Sequence, residues 1–427
     1  MSLSRRHFLK LGSLGSAIGG TLGGALSHAD AERLPTAAPW APENRKKRVD
    51  TVSCAVIGYG EWGREIAAAL DRLEEARLSA VVDHFPIMLR RAQRDHPDAA
   101  RHADYRTVLD DPGIPAVFVA TPTHQHRQIV IDALAAGKHV YCEAPIAHTL
   151  DDARAIARAA RDADGQIFQA GLLYRTEPQY RSVYGFIRSG AIGQPAMIRS
   201  QWHRKDSWRR VSSSRERERD LNWRLDADVS LGLFGEVGIQ QIDAASWIRD
   251  TRPTSVSGFG GTMFWNDGRT VPDTIQAIVG SPDNVNLMYD ATLVSGFDAA
   301  YDLHFGSDAT IILRDNKAWM FKEVDAPMLG WEVYARKDKF YKETGIALLA
   351  NATKLDALNQ DPTYEDPNAE SPLYWALKAF MDNYTYGPFA PVANHEKAYE
   401  ATVVAIKGAE AIRGQTRVDI TDEDYTY

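Results

Sequence analysis

Cysteine is nearly absent. The 427 residues hold two, Cys54 and Cys142. Both are expected in non-adjacent strands of one parallel sheet, and a disulfide needs Cα atoms within about 7 Å. Buried free thiols are therefore expected. A basic excess is also missing: the net charge is -8, which argues against nucleic acid as the main partner, since phosphate binding wants a basic surface. Long apolar runs are missing as well. The weakly apolar, Gly-rich stretch from Leu11 to about Leu26 is poor for a span, which takes ~20 strongly apolar residues. No H-E-x-x-H occurs, and His124 and His126 find no third ligand at a useful spacing, so no metal is expected.

What is present begins with Ser4-Arg5-Arg6-His7-Phe8-Leu9-Lys10, a twin-arginine pattern followed by small residues at Ser27-His28-Ala29. Residues 1–29 read as an export signal of the twin-arginine type, with no stable membrane span once it is removed and a periplasmic or otherwise exported product. Residues 30–50 hold three prolines and a basic cluster and read as a linker. Substrates of this route cross already folded, so a cofactor can be loaded in the cytoplasm. It should then be held tightly and regenerated within the protein's own cycle.

From Val52 an apolar strand runs into Gly58-Tyr59-Gly60-Glu61-Trp62-Gly63 and a helix, and a second strand ends in Asp83, 20 residues after Gly63. This is the G-x-G-x-x-G turn of a dinucleotide site. Gly58 permits the tight turn, Gly60 lets the backbone approach a pyrophosphate, and Gly63 lets helix and strand pack closely. The helix N-terminus offers free N–H groups to phosphates. A carboxylate at Asp83 accepts hydrogen bonds from a ribose diol and repels a 2′-phosphate, which favours NAD over NADP. Strands and helices alternate from there to Ala170, so a doubly wound parallel sheet over residues 51–171 is expected, with Thr121, Pro122 and Glu143 at strand ends facing the cofactor.

Thr121-Pro122 with His126, then Ala136-Gly137-Lys138-His139-Val140 and Glu143-x-Pro145, match the Gfo/Idh/MocA family in order and spacing, and Gly171 to Arg175 resembles the segment after its sixth strand. The resemblance covers nearly all of the chain after the linker. It implies an α/β fold, a Rossmann domain followed by an α/β domain (residues 172–427) with a large, open, mainly antiparallel sheet. It also implies sugar or polyol substrates and homodimers or homotetramers packed through that sheet. His126 and Arg175 join the expected cofactor-binding residues on this ground, beside Gly58, Tyr59, Gly60, Trp62, Gly63, Asp83, Thr121, Pro122 and Glu143.

Two family positions depart. The lysine of the family's Glu-Lys-Pro is Ala144, and the acid and histidine of its second-domain helix are Glu236 and Gln240. Alanine cannot take a proton, and glutamine can only orient a hydroxyl. Three readings follow: a sugar oxidoreductase whose base has moved, an NAD-dependent glycosidase or eliminating enzyme with transient redox, or a non-catalytic sugar-binding or scaffolding protein with structural NAD. Glu236, Gln240, His203 and Tyr174 are the candidate catalytic residues, with Lys205 as a further possibility for the base. Glu236, Gln240, Asp243 and Trp247 are spaced to share one helical face. The charged loop from Arg204 to Asp220 reads as a salt-bridged loop or as a lid over the sugar site. Short β-branched runs after Arg175 predict the antiparallel sheet, and helices return at Leu373 to Tyr384 and His395 to Arg413.

Overall fold

Val52–Ile57 (β1) is apolar along its length because both of its faces are covered, the pattern of a parallel strand. In the computed structural model it joins Ala76–Val82 (β2), Ala100–His102 (β3), Ala116–Val119 (β4), His139–Cys142 (β5) and Phe168–Ala170 (β6) in a parallel sheet of order β3-β2-β1-β4-β5-β6. The chain leaves β1 to one side and β4 to the other, so a crevice opens at their C-terminal ends. Gly58 and Thr121 stand there. The described residues are 51–427 apart from 213, 331, 333, 334, 336, 341, 342 and 349–369. The twin-arginine signal and linker expected over residues 1–50 lie outside them. No helix among the described residues is long and apolar enough to cross a membrane.

Cys54 and Cys142 are free and buried, on β1 and β5 with β4 between them. Thr149 caps the helix Leu150–Asp162 by accepting from the Asp152 N–H at 3.2 Å, and Asn394 caps His395–Gly414 by accepting from Lys397 at 3.0 Å.

Among the described residues the second sheet has ten strands, Pro195–His203 (β7), Ser255–Gly261 (β8), Thr274–Gly280 (β9), Leu287–Thr292 (β10), Ala300–Gly306 (β11), Ala309–Arg314 (β12), Lys317–Lys322 (β13), Lys337–Phe340 (β14), Glu343–Leu348 (β15) and Arg417–Asp419 (β16), in the order β14-β15-β13-β12-β11-β7-β10-β9-β8-β16. Its centre is Pro195–His203 (β7), parallel to Leu287–Thr292 (β10) and antiparallel to Ala300–Gly306 (β11). The flanking strands pair antiparallel. Short runs and breakers foretold β7 to β10, β12 and β13, but not β14, β15, β16 or β11, the last of which lies beside the centre of the sheet. Its inward positions include Asp302 and His304, and two buried polar side chains hide the alternation by which such a strand is recognised.

The last two long helices return to the first sheet. In Pro372–Tyr386, Phe380 meets Phe118 of β4 edge-on at 5.3 Å, and Gln169 of β6 donates to the Ala376 carbonyl at 2.9 Å. Helix His395–Gly414 packs against both Leu150–Asp162 and Ser255–Gly261 (β8). It thereby ties the two sheets together and fixes the crevice between them.

Candidate active site

The glycine turn shows why each glycine is there. Gly58 has φ +94°, and a Cβ on it would lie 2.8 Å from the Ala120 carbonyl and the Thr121 nitrogen. A Cβ on Gly63 would fall 1.8 Å from the Gly58 oxygen. Gly60 differs: a Cβ there would meet no protein atom within 4 Å. It caps the helix Glu61–Leu70, whose first N–H groups have no side-chain cap, and it lines a cavity of about 650 Å³. Asp83 lines the same cavity. Its Oδ2 accepts from the Tyr59 N–H at 2.9 Å and its Oδ1 from the Phe85 N–H at 2.8 Å, which leaves lone pairs for a diol. Burial pushes its carboxyl above the usual range, against the two backbone N–H groups.

Thr121, Pro122 and Trp62 also line this cavity. Tyr59 does not. Its ring is 1 % exposed and turned into the core against His96, so only its backbone serves the turn. His126 is a positioning residue: its Nε2 lies 2.8 Å from the Thr121 carbonyl, and complete burial pushes its ring down to about 4, keeping it neutral.

A second cavity, of about 280 Å³, shares Trp62, Ala120, Thr121, Trp223 and Arg224 with the first and adds Glu143, Ala144, Tyr174, Trp202, Glu236 and Gln240. The Thr121 hydroxyl, where the two cavities meet, is buried without a partner. The Glu143 Oε1 is likewise buried with none. Burial pushes the Glu143 carboxyl up to about 7, while the neighbouring Trp62, Tyr141 and Arg224 side chains pull the other way.

The carboxyl of Glu143 is therefore protonated more in the folded than in the unfolded chain between about pH 4.5 and 7. Stability should fall as pH rises through that window and change little from this cause above it. At about 1.4 kcal/mol per pH unit, Glu143→Gln should be more stable than the parent by about 2–3 kcal/mol at pH 8 and nearly equal at pH 4.5. Urea unfolding of the cofactor-free protein at both pH values checks this.

Glu236 reaches the cavity end of a short helix, Gly232–Glu236, where it accepts from the Thr123 hydroxyl at 2.9 Å and the Leu231 N–H at 3.1 Å. Burial raises its carboxyl, opposed by Arg224. The single helical face expected for Glu236, Gln240, Asp243 and Trp247 is interrupted. The chain breaks at Val237–Gly238 before the helix Ile239–Arg249, and Gly238 packs against the Tyr289 ring, where a Cβ would sit 2.8 Å away.

Two expected site residues, His203 and Arg175, stand outside both cavities, and Gln240 lines the second with its amide bonded to the backbone. Gln240 spends both of its polar atoms on the backbone, with Oε1 accepting from the Leu173 N–H and Nε2 donating to the Gly171 carbonyl, each at 2.8 Å. It clamps the exit of β6 while lining the second cavity, with one Oε1 lone pair and one Nε2 hydrogen still free of these bonds. His203 follows Trp202 on β7, so it points through the opposite face of the sheet, where it pairs with Asp290 at 2.6 Å. Arg175 turns away from the glycine turn into a paired contact with Asp243, Nε and Nη2 each 2.8 Å from a carboxylate oxygen. Both are about 6 % exposed and line a different cavity. Tyr174 does line the second cavity, and burial raises its hydroxyl, so it is neutral at rest. Lys205 lies 5.2 Å over the Phe264 ring and lines neither of these two cavities. Among the described residues no group of three or more His, Cys, Asp or Glu could hold a metal ion.

The charged loop and the residues just after it line the first cavity. Trp208, Arg210, Arg217, Asp220, Trp223 and Arg224 all line it. Much of the expected loop is ordered as the helix Arg215–Leu221. Arg210 reaches Glu61, at the start of the glycine-turn helix, at 3.3 Å, and Arg217 lies 5.4 Å over the Phe85 ring. Sequence pattern alone did not reveal Thr123, Arg224 or Phe85 as lining residues, since a lone Thr, Arg or Phe in a loop carries no spacing signal.

Residues 52–171 match the family model described as Oxidoreductase family, NAD-binding Rossmann fold, and residues 180–312 match the GFO/IDH/MocA C-terminal domain. The two together take in more than half of the chain. Scyllo-inositol 2-dehydrogenase (NAD(+)) of Bacillus subtilis is 29 % identical over 210 residues, 49 % of this chain and 57 % of that protein. Inositol 2-dehydrogenase of Burkholderia multivorans is 35 % identical over 159 residues, 37 % of this chain and 47 % of that protein. The chain thus spans about half the length of these curated relatives. Levoglucosan dehydrogenase, solved in complex with NADH and L-sorbose, superposes with a TM-score of 0.71 at 18 % identity, covering 87 % of this chain and 100 % of that one, a likeness of fold. An open cradle at Gly60, a diol acceptor at Asp83 and an unpartnered buried hydroxyl at Thr121 fit a dinucleotide, and the chain belongs to the Gfo/Idh/MocA oxidoreductase family, with the glycine-turn cavity in its NAD-binding Rossmann domain.

Proposed function

We propose that the protein interconverts a carbinol and a carbonyl on a sugar or polyol, using NAD held across the glycine turn. The observation that carries this reading is the continuity of the two cavities through Trp62, Thr121, Trp223 and Arg224. It places a small polar compartment against the far end of a dinucleotide-sized one. NAD, when bound, supplies the hydride acceptor. The chain's own residues do the rest. The first N–H groups of Glu61–Leu70 receive the pyrophosphate, Asp83 receives the ribose diol, and Trp202 and Trp223 offer ring faces for stacking on a sugar.

The covering segment supports a tightly held cofactor. Arg210 and Arg217 fasten it by an exposed ion pair and a ring contact, each worth at most about 1 kcal/mol. Replacing both with Ala should speed NAD loss about tenfold, read as nicotinamide fluorescence lost on dilution. The twin-arginine pattern fits a protein that is loaded before export and acts outside the cytoplasm; changing Arg5 and Arg6 to Lys should leave it in the cytoplasm, as fractionation would show. Self-association fits the open sheet face, where Met197, Phe259, Ile278 and Met288 are exposed; sedimentation measures it.

The test is a panel of sugars, polyols and glycosides on the protein as purified with its NAD. Rising nicotinamide absorbance with one polyol is the expected result. Glycoside cleavage without lasting absorbance change would assign transient redox instead. Thermal stabilisation without turnover would leave a binding protein.

A further inference from the structure

We propose that Tyr174, backed by Tyr180 and Asp302, is the proton path that stands in for the missing lysine and histidine. This rests on the oxidoreductase reading above.

Tyr174 lines the small cavity beside Ala144. Its ring stacks on Tyr180 with centroids 4.1 Å apart and planes 6° from parallel, and the Tyr180 hydroxyl lies beside its own. The Tyr180 hydroxyl in turn donates to Asp302 Oδ2. Asp302 Oδ1 accepts from Gln241 Nε2 at 2.9 Å, and Gln241 also lines the cavity. The Gln241 amide thus holds the carboxylate from one side while Tyr180 holds it from the other.

Asp302 is 3 % exposed, and among the described residues no lysine or arginine pairs with it. A carboxylate buried without a cation is costly, and burial pushes this one up to about 6. That value puts a proton acceptor near neutrality at the end of a chain of hydroxyls that begins in the substrate compartment.

The step balances. The carbinol C–H leaves as hydride to the oxidised nicotinamide dinucleotide, and the C=O bond forms. The hydroxyl proton passes to Tyr174 Oη as the Tyr174 proton passes to Tyr180 Oη and the Tyr180 proton to Asp302 Oδ2. Asp302 ends as the acid and releases its proton on the return. Tyr174 is the catalytic residue; Tyr180 and Asp302 act through it.

The test uses the full chain with its NAD. With the polyol found by the panel, Tyr174→Phe should lower kcat on the order of 10²-fold with KM little changed. Asp302→Asn should remove an acid limb near pH 6 from the kcat profile, and Tyr180→Phe should do the same. The second measurement is independent of turnover. Infrared difference spectra between acid and neutral pH should show one carboxyl band that disappears in Asp302→Asn. Its midpoint should move when myo-inositol, levoglucosan or glycerol is added, and should stay fixed in Tyr174→Phe. A midpoint moved by none of the three overturns the relay, as does an Asp302→Asn enzyme with the parental pH profile. A parent that oxidises nothing in the panel would sink the oxidoreductase reading instead, with the infrared result still deciding whether Tyr174 and Asp302 are coupled.

Discussion

Gly60→Val abolishes NAD binding, with an affinity loss of at least about 100-fold, and leaves the melting temperature of the cofactor-free protein unchanged. The two halves of that result have separate causes. A Cβ at Gly60 meets no protein atom within 4 Å, so nothing in the fold resists it. The same open space is where a pyrophosphate must approach the backbone, and a branched side chain fills it. Gly63→Ala should do the reverse. Its Cβ would be driven to 1.8 Å from the Gly58 oxygen, which forces helix and strand apart. Overpacking of that kind costs about 1–3 kcal/mol or more, so the melting temperature should fall by several degrees. Calorimetry of both variants and equilibrium dialysis against NAD separate the cases. A Gly60→Val protein that still retains NAD would mean that the dinucleotide lies elsewhere.

The second large effect is on stability. Arg175 and Asp243 form a two-point ion pair at 2.8 Å on each side, both nearly excluded from solvent, with the guanidinium 5.7 Å over the Trp247 ring. Removing one partner leaves the other as an uncompensated buried charge, a cost of about 3–5 kcal/mol. Arg175→Met and Asp243→Leu should each lose that much in urea unfolding. The double variant should recover most of it, because the charge left behind is gone. NAD affinity of the folded single variants should be near the parent's. If Arg175→Met instead loses NAD while keeping its stability, the family-based placement of Arg175 at the cofactor is right and the ion pair is incidental.

The contrast between these two positions shows how much of the site the chain announces. Gly58, Gly60, Gly63 and Asp83 were legible because the turn is local: strand, glycines, helix and acid follow one another within 32 residues, Val52 to Asp83, and each has a backbone reason to be what it is. Thr121, Pro122 and Glu143 were legible as cavity-lining residues because they follow the C-terminal ends of parallel strands, though Glu143 lines the second cavity and not the first. The catalytic side was less so. His203 was drawn toward the site by its neighbours in sequence, but one residue along a strand reverses the face. Gln240 lines the second cavity as expected, but the two backbone partners that fix its amide, nearly 70 residues away in the chain, carry no local signal. Arg175 has its partner 68 residues on.

By itself the sequence determined the alternation of strand and helix, the glycine turn, and the family to which these belong. Those are properties of short segments, where periodicity and backbone geometry leave few choices. Only the tertiary structure decided which side chains face the cavity, which are consumed by buried hydrogen bonds, and that Tyr174, Tyr180 and Asp302 meet. The physical reason is that a buried polar group takes its meaning from its partner, and partners such as Tyr180 and Asp302, 122 residues apart, are brought together by sheet register and helix packing that no local pattern records.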